Sequence, residues 1–332
     1  MPKVYILIVN YKNWEDVQEC LDSLFQQLYK NFVVIVVDND SQNNSLEYLM
    51  NWANGNVILN KRLETPIKYE FYYSRDISGN TDFFTSLIFI QNETNTGFAN
   101  GNNIVLQRLL KEDAYIWLLN PDMVVSQETL NELVKFSNDH SFNSITGCVI
   151  KSYTNPDTVL LYGGAKINFN TATVSMIKEE KKICNIDYVC GGSLFSHTKH
   201  FKDIGLLPED YFLFWEETDW CYMAKHKGYK MQVCLTAVCY DKVSTTIGKG
   251  FIADYYYTRN GLLFLQKYKK DKIRIALVFV TLRLLKRIFT GKWHNANGLF
   301  KGTLSFFKIR DRYEIRDRFC FKFLSSITKY TI

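Results

Sequence analysis

The stretch "FVVIVVDNDS", residues 32–41, decides the fold. Six apolar residues, nearly all β-branched, form a run too short for a buried helix and too uniform for a half-exposed strand. It predicts a strand covered on both faces, as in a parallel sheet. The run stops at a polar cluster, and the carboxyl edge of such strands is where open α/β sheets take ligands. The pattern repeats outward. "VYILIV" (4–9) is a second buried strand, followed by Val17, Leu21, Leu24 and Leu28 at helical spacing behind a capping Asn13. "SLIFIQ" (86–91) precedes "NETNTGFANGNN" and a helix over roughly 101–111, and "YIWLL" (115–119) runs into "NPD". Strands alternating with helices imply an α/β, mostly parallel sheet with right-handed crossovers. Residues 61–85 break the rhythm and read as an insertion.

The chain has 332 residues, 47% of them hydrophobic and 22% charged, enough for one large domain or two modest ones. Eight cysteines without a CxxC pair, and no secretory leader before the first strand, predict free thiols in a reducing cytoplasm. The net charge of +6 is uneven: from residue 266 onward there are 17 Lys and Arg against 4 Asp and Glu. The chain therefore divides into a body, 1–265, and a basic amphipathic C-terminal region, 266–332. Within that region "RIALVFVTLRLLKRIF" (274–289) is too interrupted to span a bilayer. Arg283, Lys286 and Arg287 form a cationic stripe beside an apolar face, which suits a helix lying in a membrane interface. A core helix with a charged edge reads from the same pattern.

Four clusters can carry chemistry. Asp38, at a strand end, can accept a nucleobase imide N–H or simply hold a turn. "NTGFANGNN" (95–103) opens a helix with glycines and asparagines, so its backbone N–H groups can face an anion or merely cap the helix. It fits neither the dinucleotide G-x-G-x-x-G nor the triphosphatase loop, which argues against both classes. Asp122 in "LLNPDMVV" can take Mg2+ or Mn2+, or belong to an Asn-Pro-Asp turn. In "YFLFWEETDWCYMAKHKGYK" (211–230), Glu216, Glu217 and Asp219 crowd three carboxylates among aromatic rings. Such packing raises carboxylate pKa values and invites proton transfer.

In the order "VNYKN", "VVDNDS", "NTGFANGNN", "WLLNPD", "VCGGSLF", "FWEETDWCYMAKHKGY" and "YYYTRNGLLFLQKY", these segments resemble the family 2 glycosyltransferases, particularly their bacterial rhamnosyltransferase-like branch. The likeness covers about residues 1–265. It implies a GT-A fold, a nucleotide-diphosphate sugar donor, Mn2+ or Mg2+, and inversion by single displacement. Asp38 would hold the nucleobase, with Asn95, Gly97, Asn102, Asn103 and Asn120 lining the donor pocket. Asp122 would bind metal, where the family often has Asp-x-Asp and this chain has Asn120 as the first member. Gly191 and Gly192 would floor the acceptor site, with Asp219 and Trp220 beside it. Glu217 takes the place of the usual general base, with Glu216 positioning it or serving instead, and Asp219 is otherwise a helix cap. Asp241 in "AVCYDKVS" stands where relatives carry a histidine and would add a metal ligand. Arg259 matches a family motif and would meet a phosphate or form a structural ion pair.

The function this implies is sugar transfer, with rhamnose the sugar that branch suggests, onto a saccharide or lipid-linked acceptor in surface polysaccharide (O-antigen or capsule) synthesis. The expected location is the cytoplasm, peripheral on the inner membrane face. A non-catalytic nucleotide-sugar or glycan binder is the alternative. Nucleic acid is not an expected partner, because the basic tail lacks a reading motif.

Overall fold

A computed structural model describes residues 1–59, 65–77, 82–140, 143–242 and 250–309. They fall into two compact units, one comprising 1–167 and 174–248, the other 168–173 and 249–332. In the first, β1 (Lys3–Asn10), β2 (Phe32–Asp38), β3 (Tyr69–Tyr73), β4 (Leu87–Gln91), β5 (Ala114–Leu119) and β6 (Met123–Val125) join β7 (Ser144–Ser152) and β8 (Val159–Tyr162). A small sheet of β9 (Gly164–Asn168), β10 (Thr173–Met176) and β11 (Tyr188–Val189) is separate; β12 (Ser193–His197) and β13 (Lys230–Asp241) return to the large one. The large sheet runs β3-β4-β2-β1-β5-β12-β7-β13-β6, with β8 on β7. β1 pairs in parallel with β2 and β5, and β2 with β4, so Asn10, Asp38 and Gln91 end in register along one edge. β12 enters antiparallel to β5 and β7. Both faces are covered: every residue of β2 and β5 is buried, as uninterrupted apolar runs require.

The covering helices are α1 (Trp14–Phe25), α2 (Ser45–Ala53), α3 (Gly97–Leu109), α4 (Thr129–Asp139), α5 (Thr198–Ile204) and α6 (Glu216–His226). Three expectations need correction. Val17, Leu21 and Leu24 face the core, but α1 ends before Leu28, which is 55% exposed. Asn13 sits at the capping position, yet its amide donates to Asp16 Oδ2 at 2.5 Å instead of accepting a backbone N–H. α3 begins at Gly97, four residues before the expected start, so the cluster from Gly97 onward is helical. The segment read as an insertion contains β3, a parallel edge strand on β4; residues 60–64 and 78–81 lie outside the described ones.

The second unit holds α7 (Phe251–Tyr268), α8 (Ile273–Phe289) and α9 (293–309). α7 runs through the 265/266 boundary without a break. α9 packs on α7 through two glycines one turn apart: a Cβ on Gly298 would come 2.5 Å from Phe251 O, and one on Gly302 2.4 Å from Tyr255 O. Tyr255 Oη donates to Ser305 Oγ at 2.9 Å, adding a polar tie to that seam. In α8 two members of the expected cationic stripe, Arg283 and Arg287, are turned inward, while Lys286 stays exposed. Arg283 donates to Thr171 O at 3.3 Å and Arg287 pairs with Asp254 at 2.6 Å. The exposed large apolar residues of α8 are Ile275, Val278, Phe279, Leu282, Leu285 and Phe289. Among the described residues no helix is long and apolar enough to cross a membrane, and the seven described cysteines are free.

Candidate active site

The carboxyl ends of β1, β2, β4 and β5 present polar side chains along one edge of the sheet. Asp38 closes β2 and is almost fully buried. Its carboxylate accepts from Asn10 Nδ2 (2.6 Å), Ser41 N (2.9 Å), Ser41 Oγ (2.7 Å) and Gln91 Nε2 (3.3 Å). It borders an open hollow shared with Asp40, Asn43, Tyr73, Arg75 and Gln91, in which the Arg75 guanidinium lies 4.8 Å from the Tyr73 ring centre. A planar ring and several amide or carboxylate acceptors suit a heterocyclic base.

Next to it lies a second hollow of about 250 Å3, lined by Tyr11, Asn13, Asn39, Asn95, Gly97, Phe98, Asn120, Asp122 and Phe212 to Phe214. Its lining mixes aromatic rings with side-chain amides, which suits a polyol with an apolar face. Asp122 is its one carboxylate. The Asp122 Oδ1 atom is buried without a hydrogen-bond partner. Burial, followed by the charge of Asp241, pushes the Asp122 carboxyl up to about 6. Asp241 is brought there by β13, which pairs antiparallel with β6 and sets Asp241 opposite Met123. Two facing carboxylates, one with an orphaned oxygen, fit a hard divalent cation that completes its shell with a ligand's phosphate oxygens. No group of three or more acidic, His or Cys side chains that could hold a metal by itself occurs among the described residues. Lys242, the next residue, binds Asp16 at 2.8 Å and Glu19 on the far side of this pair.

Glu216 and Glu217 open α6. The backbone leading into them is strained: Phe212, Phe214 and Trp215 have φ of 59°, 65° and 79°, which non-glycine residues seldom adopt. Gly97 makes room for that segment. With φ +83° it lets the Phe212 carbonyl lie where a Cβ would be 2.2 Å away, and Phe98 N donates to that carbonyl at 2.8 Å. Burial raises the Glu217 pKa, partly offset by backbone N–H groups of Glu217, Gly191 and Thr218. Burial also holds Glu216 well above the glutamate range, the Glu217 charge adding to it. Each keeps one buried oxygen, Oε2, without a partner. A Cβ on Gly191 would sit 3.2 Å from the Glu217 carboxyl carbon, and one on Gly192 3.6 Å from Asn120 Nδ2. The two glycines thus lie between Glu217 and the Asn-Pro-Asp turn. Cys190, just before them, feels Glu217, Asp241 and Asp122 together, and burial with these charges pushes its thiol up to about 12.

The structure therefore brings Asn95, Gly97, Asn120 and Asp122 to one hollow, with Asp241, Gly191, Gly192, Glu216 and Glu217 gathered beside Asp122 and Asp38 in the adjoining one. Four other assignments are corrected. Asn102 is buried in α3 with Nδ2 on Phe98 O, and Asn103 donates to Leu207 O (2.8 Å) and Glu209 (2.9 Å); neither lines either hollow. Trp220 is fully buried, stacked on Phe201 and bonded to Gly205 O. Asp219, also fully buried, accepts from Tyr211 Oη at 2.8 Å, which anchors the strained segment. Neither can touch an acceptor. Arg259 belongs to the second unit, on α7, beside the Tyr256 ring and bonded to Asn260. Asn39, Phe98 and the Phe212 to Phe214 wall were missed as site residues. The left-handed backbone that turns the wall inward has no signature in non-glycine side chains.

A mostly parallel sheet with hollows along its carboxyl edge, an acid after β5 and a buried acid pair opening α6 agrees with a GT-A fold. Comparison with known proteins agrees. The family described as Glycosyl transferase family 2 matches residues 5–66. The low-salt glycan biosynthesis hexosyltransferase Agl10 of Haloferax volcanii is 22% identical over 238 residues, 69% of this chain and 64% of that protein, so the match spans under two thirds of this relative. The mannosyltransferase PcManGT from Pyrobaculum calidifontis, solved with GDP-Man and Mn2+, shares the fold at TM-score 0.56 and 14% identity over 92% of this chain and 87% of its own. GalNAc-T7, solved with UDP, GalNAc and Mn2+, does so at 0.56 and 12% over 80% of this chain and 48% of its own. Over residues 5–66 the chain is thus similar to the family 2 glycosyltransferases, and its fold is that of GT-A proteins.

Proposed function

We propose that this chain transfers a sugar from a nucleotide-diphosphate sugar to a hydroxyl of a saccharide or lipid-linked acceptor, with inversion and with Mn2+ or Mg2+. The observation that carries this reading is the convergence of Asp122, Asp241 and Glu217 on the backbone around Cys190. The Asp38 hollow takes the base and the aromatic hollow the sugar. Asp122 and Asp241 would hold the cation, which when bound offsets charge building on the departing diphosphate. Glu217, held against Gly191, takes the proton of the attacking hydroxyl, and its raised pKa makes it the stronger base. Burial is what raises the Glu217 pKa, and the Glu217 charge in turn helps to hold Glu216 in its neutral form. Donors such as GDP-mannose, found in PcManGT, and rhamnose nucleotides both belong in the panel.

The outward apolar face of α8, rimmed by the exposed Arg274 and Lys286, supports docking on an anionic lipid surface, at the cytoplasmic membrane face where lipid-linked acceptors for surface polysaccharide reside. Incubation with a panel of nucleotide sugars and Mn2+, read as nucleotide release, tests the transfer. Release that disappears in Asp122→Ala and Glu217→Gln is expected. Donor binding without release across the whole panel would favour a non-catalytic binder, and unchanged release in both variants would overturn the site.

A further inference from the structure

Asn39 is buried between the two hollows and makes five side-chain hydrogen bonds to one short loop. Its Nδ2 donates to Asn95 Oδ1 at 2.9 Å and Gly97 O at 3.1 Å. Its Oδ1 accepts from Asn92 Nδ2 at 2.9 Å, Thr96 N at 3.2 Å and Thr96 Oγ1 at 3.4 Å. Its backbone N–H donates to Asn10 O at 2.8 Å, so the residue is itself fixed to β1. Only a primary amide offers two donors and an acceptor from one rigid plane. The loop it holds ends in Gly97 and Phe98, and Phe98 N in turn holds the Phe212 carbonyl at the head of the strained segment that leads to Glu216 and Glu217.

We infer that Asn39 is a positioning residue that couples the nucleotide edge of the sheet to the acid pair: it fixes the Asn95–Phe98 loop, and through the Phe98–Phe212 hydrogen bond that loop sets the backbone carrying Glu217. The catalytic half of this inference rests on the transfer proposed above, and the structural half stands without it. In Asn39→Asp the shape is kept, but an oxygen replaces the donor facing Asn95 Oδ1 and Gly97 O. Lone pairs then face lone pairs, and the loop must open.

Amide hydrogen exchange on the full chain, without ligand, tests the coupling. In Asn39→Asp, protection at Thr96 to Phe98 falls at least tenfold, and protection at Leu213 to Asp219 falls with it, while the 4–9 and 115–119 strands exchange as before. Asn39→Ala, which deletes the bonds without adding charge, gives the same pattern with a smaller fall and serves if Asn39→Asp does not fold. Loosening confined to 92–98, or spread evenly over the sheet, overturns the coupling. With a donor found in the panel, both variants lower kcat at least tenfold while affinity for the matching nucleoside diphosphate stays within threefold. An unchanged kcat, or equal loss of both, overturns the positioning role. If the panel yields no donor, the transfer reading fails on its own and the exchange result still decides the coupling.

Discussion

Glu217 and Glu216 are adjacent in sequence, yet their chemistry is separable. As a base, Glu217 works only when ionised, so a raised pKa moves the acid limb of the kcat/KM profile above the ordinary glutamate value. Glu217→Gln should remove that limb and lower kcat by roughly 100-fold or more, the usual range for general-base loss, with the fold intact by circular dichroism. Glu216 is best tested by stability. Its folded pKa is raised, so the neutral form is favoured in the fold; its contribution is full below the unfolded pKa and is lost as pH rises through the folded one. At pH 8, above the unfolded pKa, folding must either bury the charge or take up a proton, both at a cost, and Glu216→Gln removes that cost. The expected result is a Tm gain of ~2 °C or more at pH 8 and little change near pH 4, measured by calorimetry. Equal gains at both values would show that charge is not the cause.

At the level of elements, close backbone approaches set the geometry. Gly97 combines a positive φ with a carbonyl 2.2 Å from where a Cβ would be, so Gly97→Ala meets both strain and overlap. It should cost ~2 kcal/mol or more, read from urea unfolding, and should impair donor binding as well. α8 makes a different prediction, because its apolar residues point outward. Leu282→Asp with Phe289→Asp replaces two exposed apolar side chains, so folding stability should change by less than about 1 kcal/mol. Sedimentation with anionic vesicles should fall at least severalfold, and binding by the parent chain should weaken with salt. Persistence of vesicle binding in the double variant would move the docking surface elsewhere.

For the molecule as a whole, cation and donor should report on one another. Mn2+ with the preferred nucleoside diphosphate should raise Tm more than either alone, by mass action, and Asp122→Asn should abolish the excess. The strand cores of β1, β2, β4 and β5 were legible because a doubly covered strand must be apolar throughout, and their polar ends marked the ligand edge. Glu217 and Asp122 stood out in the sequence because carboxylates beside aromatic or apolar runs are costly, and the structure buries both. Asn102 and Asn103 were misplaced because both are buried positions of α3, where Asn103 bonds Leu207 O and Glu209, and the sequence does not show which face of that helix is covered. Trp220 and Asp219 face the core because the turn at 212–215 fixes the rotation of α6, and helix phase is hard to read where acidic and aromatic residues interleave as they do from Trp215 to Tyr222. By itself the sequence determined which segments are strands, which edge of the sheet is polar and which acids stand at it. Only the tertiary structure decided that Asp241 faces Asp122, that Asn39 ties the two hollows and that α8 turns its apolar side outward. Each of these depends on contacts between residues far apart in the chain, and local periodicity carries no record of them.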